Sequence, residues 1–128
     1  MINRMKFYID GAWVDPAVMK TVPVVNPATE EPMYDVAVGS KADVDKAVAA
    51  ARKAFQTFSV TTREERIELL TKIIDAYKAR TKDIATAISD EMGAPIPMAE
   101  RAQAGAGLGH LMSTLQVLKD YHLSLIHI

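Results

Sequence analysis

The stretch VVNPATEEPMYDVAVGSKADVDKAVAAARKAF, residues 24–55, contains the local signals that decide the fold. A β-rich run ends where Asn26-Pro27 turns the chain, because proline fixes its own φ and disfavours helix at the preceding residue. A second extended run follows at 33–38, where apolar and polar residues alternate. The order predicts two strands joined by a turn.

A helix is predicted directly after the second strand. Ser40 is placed to cap it, and Asp43, three residues later, occupies the capping-box position. Apolar residues then recur at the spacing of one helical face: Val44, Ala47, Val48, Ala51 and Phe55. The pattern predicts an amphipathic helix at about 41–57.

The chain before this stretch predicts a hairpin at 6–14. Asp10-Gly11 fits a two-residue type I′ turn, whose two central positions both need positive φ. Trp13 in the second strand is expected to pack in the core or on the sheet, and stacking on a ligand is the alternative. Strand character resumes at 21–25, where Pro23 indicates an edge strand.

Three further helices are predicted after residue 61. Thr62 and Glu65 form a second capping-box pattern, and one face of the helix that follows carries Ile67, Leu70, Ile74 and Tyr77. A third helix is predicted at about 82–92, ended by Gly93.

The last helix is predicted to start near Pro97, since proline suits the first turn. Its apolar stripe has coiled-coil-like spacing and is expected to make core contacts within the domain or with a partner subunit. The stripe consists of Ala104, Leu108, Leu111, Leu115 and Leu118.

Composition excludes several classes of function. Of 128 residues, 49% are apolar and 24% charged, and the net charge is −1, so bulk charge attracts neither nucleic acid nor an anionic membrane. Apolar runs are too short to span a bilayer, and no apolar segment of a secretory signal follows Arg4 and Lys6, so a cytoplasmic location is expected. The sequence has no cysteine, which excludes disulfides, thiolate metal sites and a thiol nucleophile.

The glycines at 105, 107 and 109 superficially suggest a phosphate loop. Their spacing is G-x-G-x-G, and they follow a helix signal instead of a strand, so the strand–loop–helix context of a dinucleotide site is missing. Small residues that let another helix approach closely are the favoured interpretation.

No histidine or carboxylate pattern predicts a metal or acid–base site. His110, His122 and His127 lack a partner at ligand spacing, and His110 beside the apolar stripe is expected to be a packed helix residue. The adjacent carboxylates Glu30-Glu31 are expected to face water instead of converging on a pocket.

Several of these segments together resemble the N-terminal region of the aldehyde dehydrogenase superfamily. The resemblance is carried by Asn26-Pro27-Ala28-Thr29-Glu30-Glu31 and by residues 43–55, and it extends over about 7–122. Flanking segments agree with the family's opening hairpin, its next helix and its acid-x-Gly-x-Pro turn: Tyr8-Ile9-Asp10-Gly11-Ala12-Trp13-Val14, Arg63 to Leu70, and Glu91-Met92-Gly93-Ala94-Pro95.

The resemblance implies an α/β fold, in which this chain supplies a small antiparallel β unit followed by about four helices. Residues 1–122 would be the N-terminal portion of a Rossmann-like NAD(P)-binding domain whose sheet strands come later in a complete protein. Residues 123–128 depart from the family pattern and are expected to be an atypical tail from truncation or a misread end. Apolar helix faces meant for the missing strands would then be exposed, and the chain alone would be poorly stable or self-associating.

The family's chemistry, by resemblance, uses a cysteine thiolate that attacks the aldehyde, then hydride transfer to NAD(P)+ and hydrolysis of a thioester. This chain is therefore expected to be inactive alone and to contain no catalytic and no cofactor-binding residue. A metal site stays unknown: some family members hold an alkali cation near the strand end matched by Val24-Val25 and an acid matched by Glu91, and a surface role for Glu91 is the alternative.

The expected partners of the full-length protein are an aldehyde substrate, NAD or NADP, and further copies of itself. A different class of function stays open. The chain could be a stand-alone, non-catalytic helical interaction module of the same ancestry, with the 104–118 stripe as its binding surface.

Overall fold

The structure, a computed structural model, describes residues 4–123 and divides the chain into two compact units, residues 1–60 and 61–128. Of the expected tail at 123–128, only Leu123 falls in the described range, so the prediction for that tail lies almost wholly outside it. Across 4–123, no helix is both long and apolar enough to cross a membrane. Small antiparallel strand pairs and helices make up the fold, as the α/β prediction required.

The first unit begins with two separate hairpins. Strands β1 (Phe7–Ile9) and β2 (Ala12–Val14) pair antiparallel, and the turn between them has positive φ at both Asp10 (53°) and Gly11 (77°), which confirms the predicted turn type. Strands β3 (Thr21–Val25) and β4 (Pro32–Ala37) pair antiparallel with a register shift between Val24 and Val25. Strand β4 therefore starts one residue earlier than predicted and ends before Val38.

Helix α1 (Lys41–Phe58) follows and packs against β1. The predicted capping box is present between Ser40 and Asp43. The predicted apolar face, however, lacks a cover from the described chain, because Val44, Val48 and Phe55 are 57%, 47% and 68% exposed.

Trp13 packs on the sheet, which is one of the two positions expected for it. Its ring lies 5.4 Å from that of Tyr8 in an edge-on arrangement, as expected for residues that face each other across a hairpin. It packs on the sheet but not in a core, since 55% of it is exposed. A two-stranded hairpin is too small to bury an indole on both faces.

The second unit is helical: α2 (Arg63–Ala79), α3 (Thr81–Met92), a short α4 (Ile96–Met98), a π-helical segment (Ala99–Gln103) and α5 (Ala104–Asp120). The Thr62–Glu65 capping box is present, and Gly93 ends α3 with φ of 73°. The last helical stretch starts at Ile96, one residue before Pro97, and the π-helical segment inside it was not predicted.

The core of this unit is small and built from alanine. Ala85, Ala99 and Ala104 are 1%, 0% and 0% exposed, and partly buried apolar residues of the same region surround them: Ile84, Ile88 and Ala94. Ile74 of α2 is also buried, at 4% exposure. Among the residues described, no bulky side chain is completely buried, so the apolar faces of this chain are only partly covered by the chain itself.

Candidate functional site

The buried carboxylate of Asp43 is the first candidate for chemistry, because the described part of the chain buries no other charged side chain. Its Oδ1 accepts a hydrogen bond from the Ala17 backbone N–H at 2.8 Å. Its Oδ2 accepts from the Ser40 N–H at 2.8 Å and from the Ser40 hydroxyl at 2.7 Å. The carboxylate thus connects the start of α1 to the loop after β2.

These hydrogen-bond donors determine the protonation and the role of Asp43. The Ser40 hydroxyl, then the Ala17 and Ser40 N–H groups, lower the pKa of the Asp43 carboxyl below its ordinary value. An ionised carboxylate that already accepts three hydrogen bonds is a poor proton donor or acceptor. Asp43 is therefore a structural anchor for α1, and sequence reasoning found its capping role but not its partner Ala17.

An open groove lies beside this anchor, between β1 and α1. Its volume is about 440 Å³, and its lining is largely apolar: Lys6, Phe7, Tyr8, Ile9, Gly39, Asp43, Val44 and Ala47. Asp43 is occupied by its three donors, and Lys6 lies 3.0 Å from the exposed Asp15 carboxylate. The groove therefore offers apolar surface but no pair of groups that could exchange a proton with a substrate.

The glycines at 105, 107 and 109 lie within helix α5 and do not form a loop. A Cβ on Gly107 would overlap the hydroxyl of Tyr77, whereas a Cβ on Gly109 would meet no atom within 4 Å. The expectation of close approach by a neighbouring helix is therefore confirmed at Gly107, where α2 supplies Tyr77.

The Asn26–Glu31 segment forms a self-contained turn. Asn26 Oδ1 accepts from the Ala28 N–H at 2.8 Å, and the Glu30 N–H donates to the Asn26 carbonyl at 2.8 Å. Glu30 and Glu31 are exposed, as expected. Glu30 has φ of 60°, in the left-handed region that non-glycine residues rarely adopt.

The remaining candidate residues are the histidines and Glu91, whose part in an alkali-cation site stays a prediction. Residues 4–123 contain no group of three His, Asp or Glu side chains that could hold a metal ion. His110 is exposed on α5, which corrects the expectation that it is packed, and His122 is exposed as well. Glu91 is exposed near the end of α3. His127 lies outside the described residues.

The known proteins that this chain resembles are much longer than the chain itself. A model described as "Aldehyde dehydrogenase family" matches residues 13–125. The chain is 44% identical over 122 residues to 3-succinoylsemialdehyde-pyridine dehydrogenase of a Pseudomonas species, covering 94% of this chain and 26% of that protein. It therefore spans about a quarter of the length of such relatives.

Solved structures agree with the sequence comparison. An aldehyde dehydrogenase from Bartonella henselae superimposes with a TM-score of 0.94 at 41% identity, over 100% of this chain and 27% of that one. A mutant of aldehyde dehydrogenase C from Pseudomonas syringae, in complex with NAD+ and octanal, gives a TM-score of 0.92 at 42% identity, over 98% and 26%. The chain belongs to the aldehyde dehydrogenase family.

Proposed function

We propose that this chain is a non-catalytic part of an NAD(P)-dependent aldehyde dehydrogenase that oxidises an aldehyde to a carboxylate. Residues 1–122 would form the N-terminal portion of its cofactor-binding domain, and residues 123–128 an atypical tail. The complete protein would be a cytoplasmic homo-oligomer. The chain described here would supply packing surface and no reacting group.

The observation that carries this proposal is the lack of cysteine in a sequence that the family model matches over residues 13–125. Oxidation through a thiohemiacetal needs a thiolate nucleophile, and no other side chain supplies that chemistry in the same way. The short span of this chain relative to its relatives is consistent with a nucleophile located in the other three quarters of a complete protein.

The residues present do not fit a dinucleotide. Phosphate binding in such folds uses a glycine-rich turn that leaves a strand and opens a helix. Here Gly105, Gly107 and Gly109 lie inside α5, and the space at Gly107 is taken by Tyr77. We therefore derive no step through NAD(P) from this chain and propose that it contains no cofactor-binding residue.

The uncovered face of α1 supports a role as packing surface. Val44, Val48, Phe55 and Phe58 recur along one side of this helix and are 47–68% exposed. An exposed apolar helix face of this kind is typical of an interface. Because the relatives are about four times as long, we propose that further polypeptide of the same protein covers this face of α1.

The alternative of a stand-alone interaction module is less well supported. Its proposed surface was the 104–118 stripe, but α5 packs against α2, and the leucines of that stripe are partly buried. Exposed bulky apolar residues are more numerous on α1, which has Val44, Val48, Phe55 and Phe58, than on α5, which has Met112 and Val117. Reading the encoding DNA beyond residue 122 separates the two functions, since an in-frame, cysteine-containing continuation supports the enzyme.

An activity assay on the purified chain tests the proposal directly. We expect no NADH absorbance after NAD+ or NADP+ is mixed with a panel of aliphatic and aromatic aldehydes, while a full-length family member under the same conditions gives turnover. Equilibrium dialysis should likewise show no retention of NAD+. Turnover or stoichiometric NAD+ binding by the chain alone would contradict the proposal.

A further inference from the structure

The helical stretch from Ile96 to Asp120 changes its hydrogen-bond period in the middle. Within Ala99–Gln103 it is π-helical, and the Ala104 N–H donates to the Ala99 carbonyl five residues back. The backbone stays right-handed helical at both junctions, at Met98 and at Gln103. The π turn is therefore an interruption of a continuous helix and changes the register of everything after it.

Two buried alanines depend on this interruption. Ala99 and Ala104 are both 0% exposed and share the small core with Ala85. Five residues of a regular α-helix rotate the chain so that the two Cβ atoms point about 140° apart, and one of them would then leave the core. A π turn brings residue i+5 back over residue i and places both alanines on one side.

Tyr77 of α2 contacts the helix where the π turn ends. Its hydroxyl donates to the Ala104 carbonyl at 2.9 Å. A Cβ on Gly107 would overlap that hydroxyl oxygen and lie 3.0 Å from the ring carbon Cζ, so the side chain fills the space that glycine leaves. Within the π turn, Gln103 Oε1 is buried without a hydrogen-bond partner in the described part of the chain, which is unfavourable.

We propose that Tyr77 holds the register of this helix: by binding the Ala104 carbonyl in the space at Gly107, it keeps the π turn at 99–103. The π turn in turn determines which face of α5 meets α2. The bond from the Tyr77 hydroxyl joins the end of the π turn to α2, so without it we expect the extra residue to shift along the helix more readily, against the burial of Ala99 and Ala104. Tyr77 is thus a positioning residue for the α2–α5 contact.

Hydrogen exchange of Tyr77→Phe tests the proposal. We expect amides of residues 103–108 to exchange roughly fivefold faster, the factor for one lost hydrogen bond, while amides in the middle of α2 keep their rates. Tyr121→Phe, which changes an exposed tyrosine of the same unit, is the matched control and should alter neither region. A uniform acceleration across the unit, or no change, would overturn the proposal.

A pair of deletions tests the second part of the proposal, that the π turn sets the register of α5. Neither deletion changes Tyr77. Deleting the exposed Arg101 leaves the two buried alanines four positions apart, which is one face of a regular α-helix, so Tm should stay within about 4 °C of the wild type. Deleting the exposed Ser113 instead rotates the partly buried Leu115 and Leu118 by about 100° relative to the helix before them, and Tm should fall by more than about 8 °C. Equal losses from both deletions would show that the π turn is not the adjustable element.

Discussion

Helices α1 and α5 are similar in length, 18 and 17 residues, and both carry an apolar stripe, yet they are held in different ways. The leucines of α5 are partly buried because α5 packs on α2. In α1 the stripe is exposed, and the buried residue is Asp43. One helix is therefore held by apolar packing and the other by a carboxylate at its first turn.

The difference shows what an amphipathic pattern does and does not determine. The spacing of apolar residues identifies the face of a helix whose burial stabilises the fold. Whether the same chain supplies that contact depends on the rest of the fold. In α1, residues 4–60 leave Val44, Val48 and Phe55 about half to two thirds exposed, which agrees with a chain that spans about a quarter of its relatives.

The largest loss of stability should come from a substitution in α2, the helix that packs against α5. Ile74→Ala removes a side chain that is 4% exposed and should lower the free energy of unfolding of its unit by about 3 kcal/mol. Val48→Ala in α1 should change the stability by about 0.5 kcal/mol or less, because about half of that side chain is already exposed to water. Urea denaturation followed by circular dichroism measures both.

A control within α2 makes this test sharper. Ile73 is 44% exposed and adjacent to Ile74, so Ile73→Ala removes the same atoms from the same helix at a solvated position. We expect a much smaller loss than for Ile74→Ala. Equal losses at 73 and 74 would mean that the contrast between covered and uncovered faces does not exist in solution.

Two glycines of α5 should respond in opposite directions. Gly107→Ala places a methyl group against Tyr77 and should cost about 1–2 kcal/mol after the gain in helix propensity is counted. Gly109→Ala meets open space and should stabilise the helix by up to about 1 kcal/mol. Thermal unfolding of the two variants, compared with the wild type, decides whether the neighbouring helix approaches at 107 alone.

The polar anchor of α1 should be sensitive to pH. Because folding lowers the pKa of Asp43, the stability it contributes is present above the unfolded pKa and is lost as pH falls through the folded value, below about pH 4. Asp43→Asn should lower the denaturation midpoint at neutral pH and remove this part of the acid dependence. Fluorescence of Trp13, the single tryptophan, reports on the unit that contains Asp43.

Asp45→Asn is the matched control for the anchor. Asp45 is exposed on the same turn, where it pairs with the exposed Lys41, and such pairs contribute little. We expect it to leave the acid dependence of Trp13 fluorescence almost unchanged. If Asp45→Asn and Asp43→Asn behave alike, the hydrogen bonds to Ala17 and Ser40 do not anchor α1.

The smallest expected effect is a gain in stability from a substitution in the turn between β3 and β4. Glu30→Gly relieves the left-handed φ of 60°, and after the extra entropy that glycine loses on folding it should stabilise the first unit by about 0.5 kcal/mol. Glu31→Gly, at a neighbouring exposed position without positive φ, should destabilise it instead. Chemical denaturation followed by Trp13 fluorescence compares the pair.

Most elements could be predicted because their signals are local. The Asp10-Gly11 turn, both capping boxes and the αL residue Gly93 each depend on residues within a few positions of one another. The π turn could not be predicted, since Ala99–Gln103 contains no breaker and regular α-helix is the default for such residues. A spacing of five between two buried alanines would have indicated it, but burial is not visible in a sequence.

Some features of the candidate sites could also be predicted from the sequence, and others could not. The lack of cysteine and the lack of a strand pattern before the glycines could be read without a structure. The exposure of His110, the filled space at Gly107 and the buried state of Asp43 required the fold. These three features depend on which residues distant in the sequence come close in the fold, and the spacing of residues along the chain does not show that.

By itself, the amino-acid sequence determined the order of most strands and helices, the family and the lack of cysteine, because each follows from residue type and short-range spacing. Only the tertiary structure decided which apolar faces are covered and which polar groups are joined. Asp43 meets Ala17 across 26 positions, and Tyr77 meets Ala104 across 27. Contacts of that separation depend on how whole elements pack, and packing free energy is shared among many side chains.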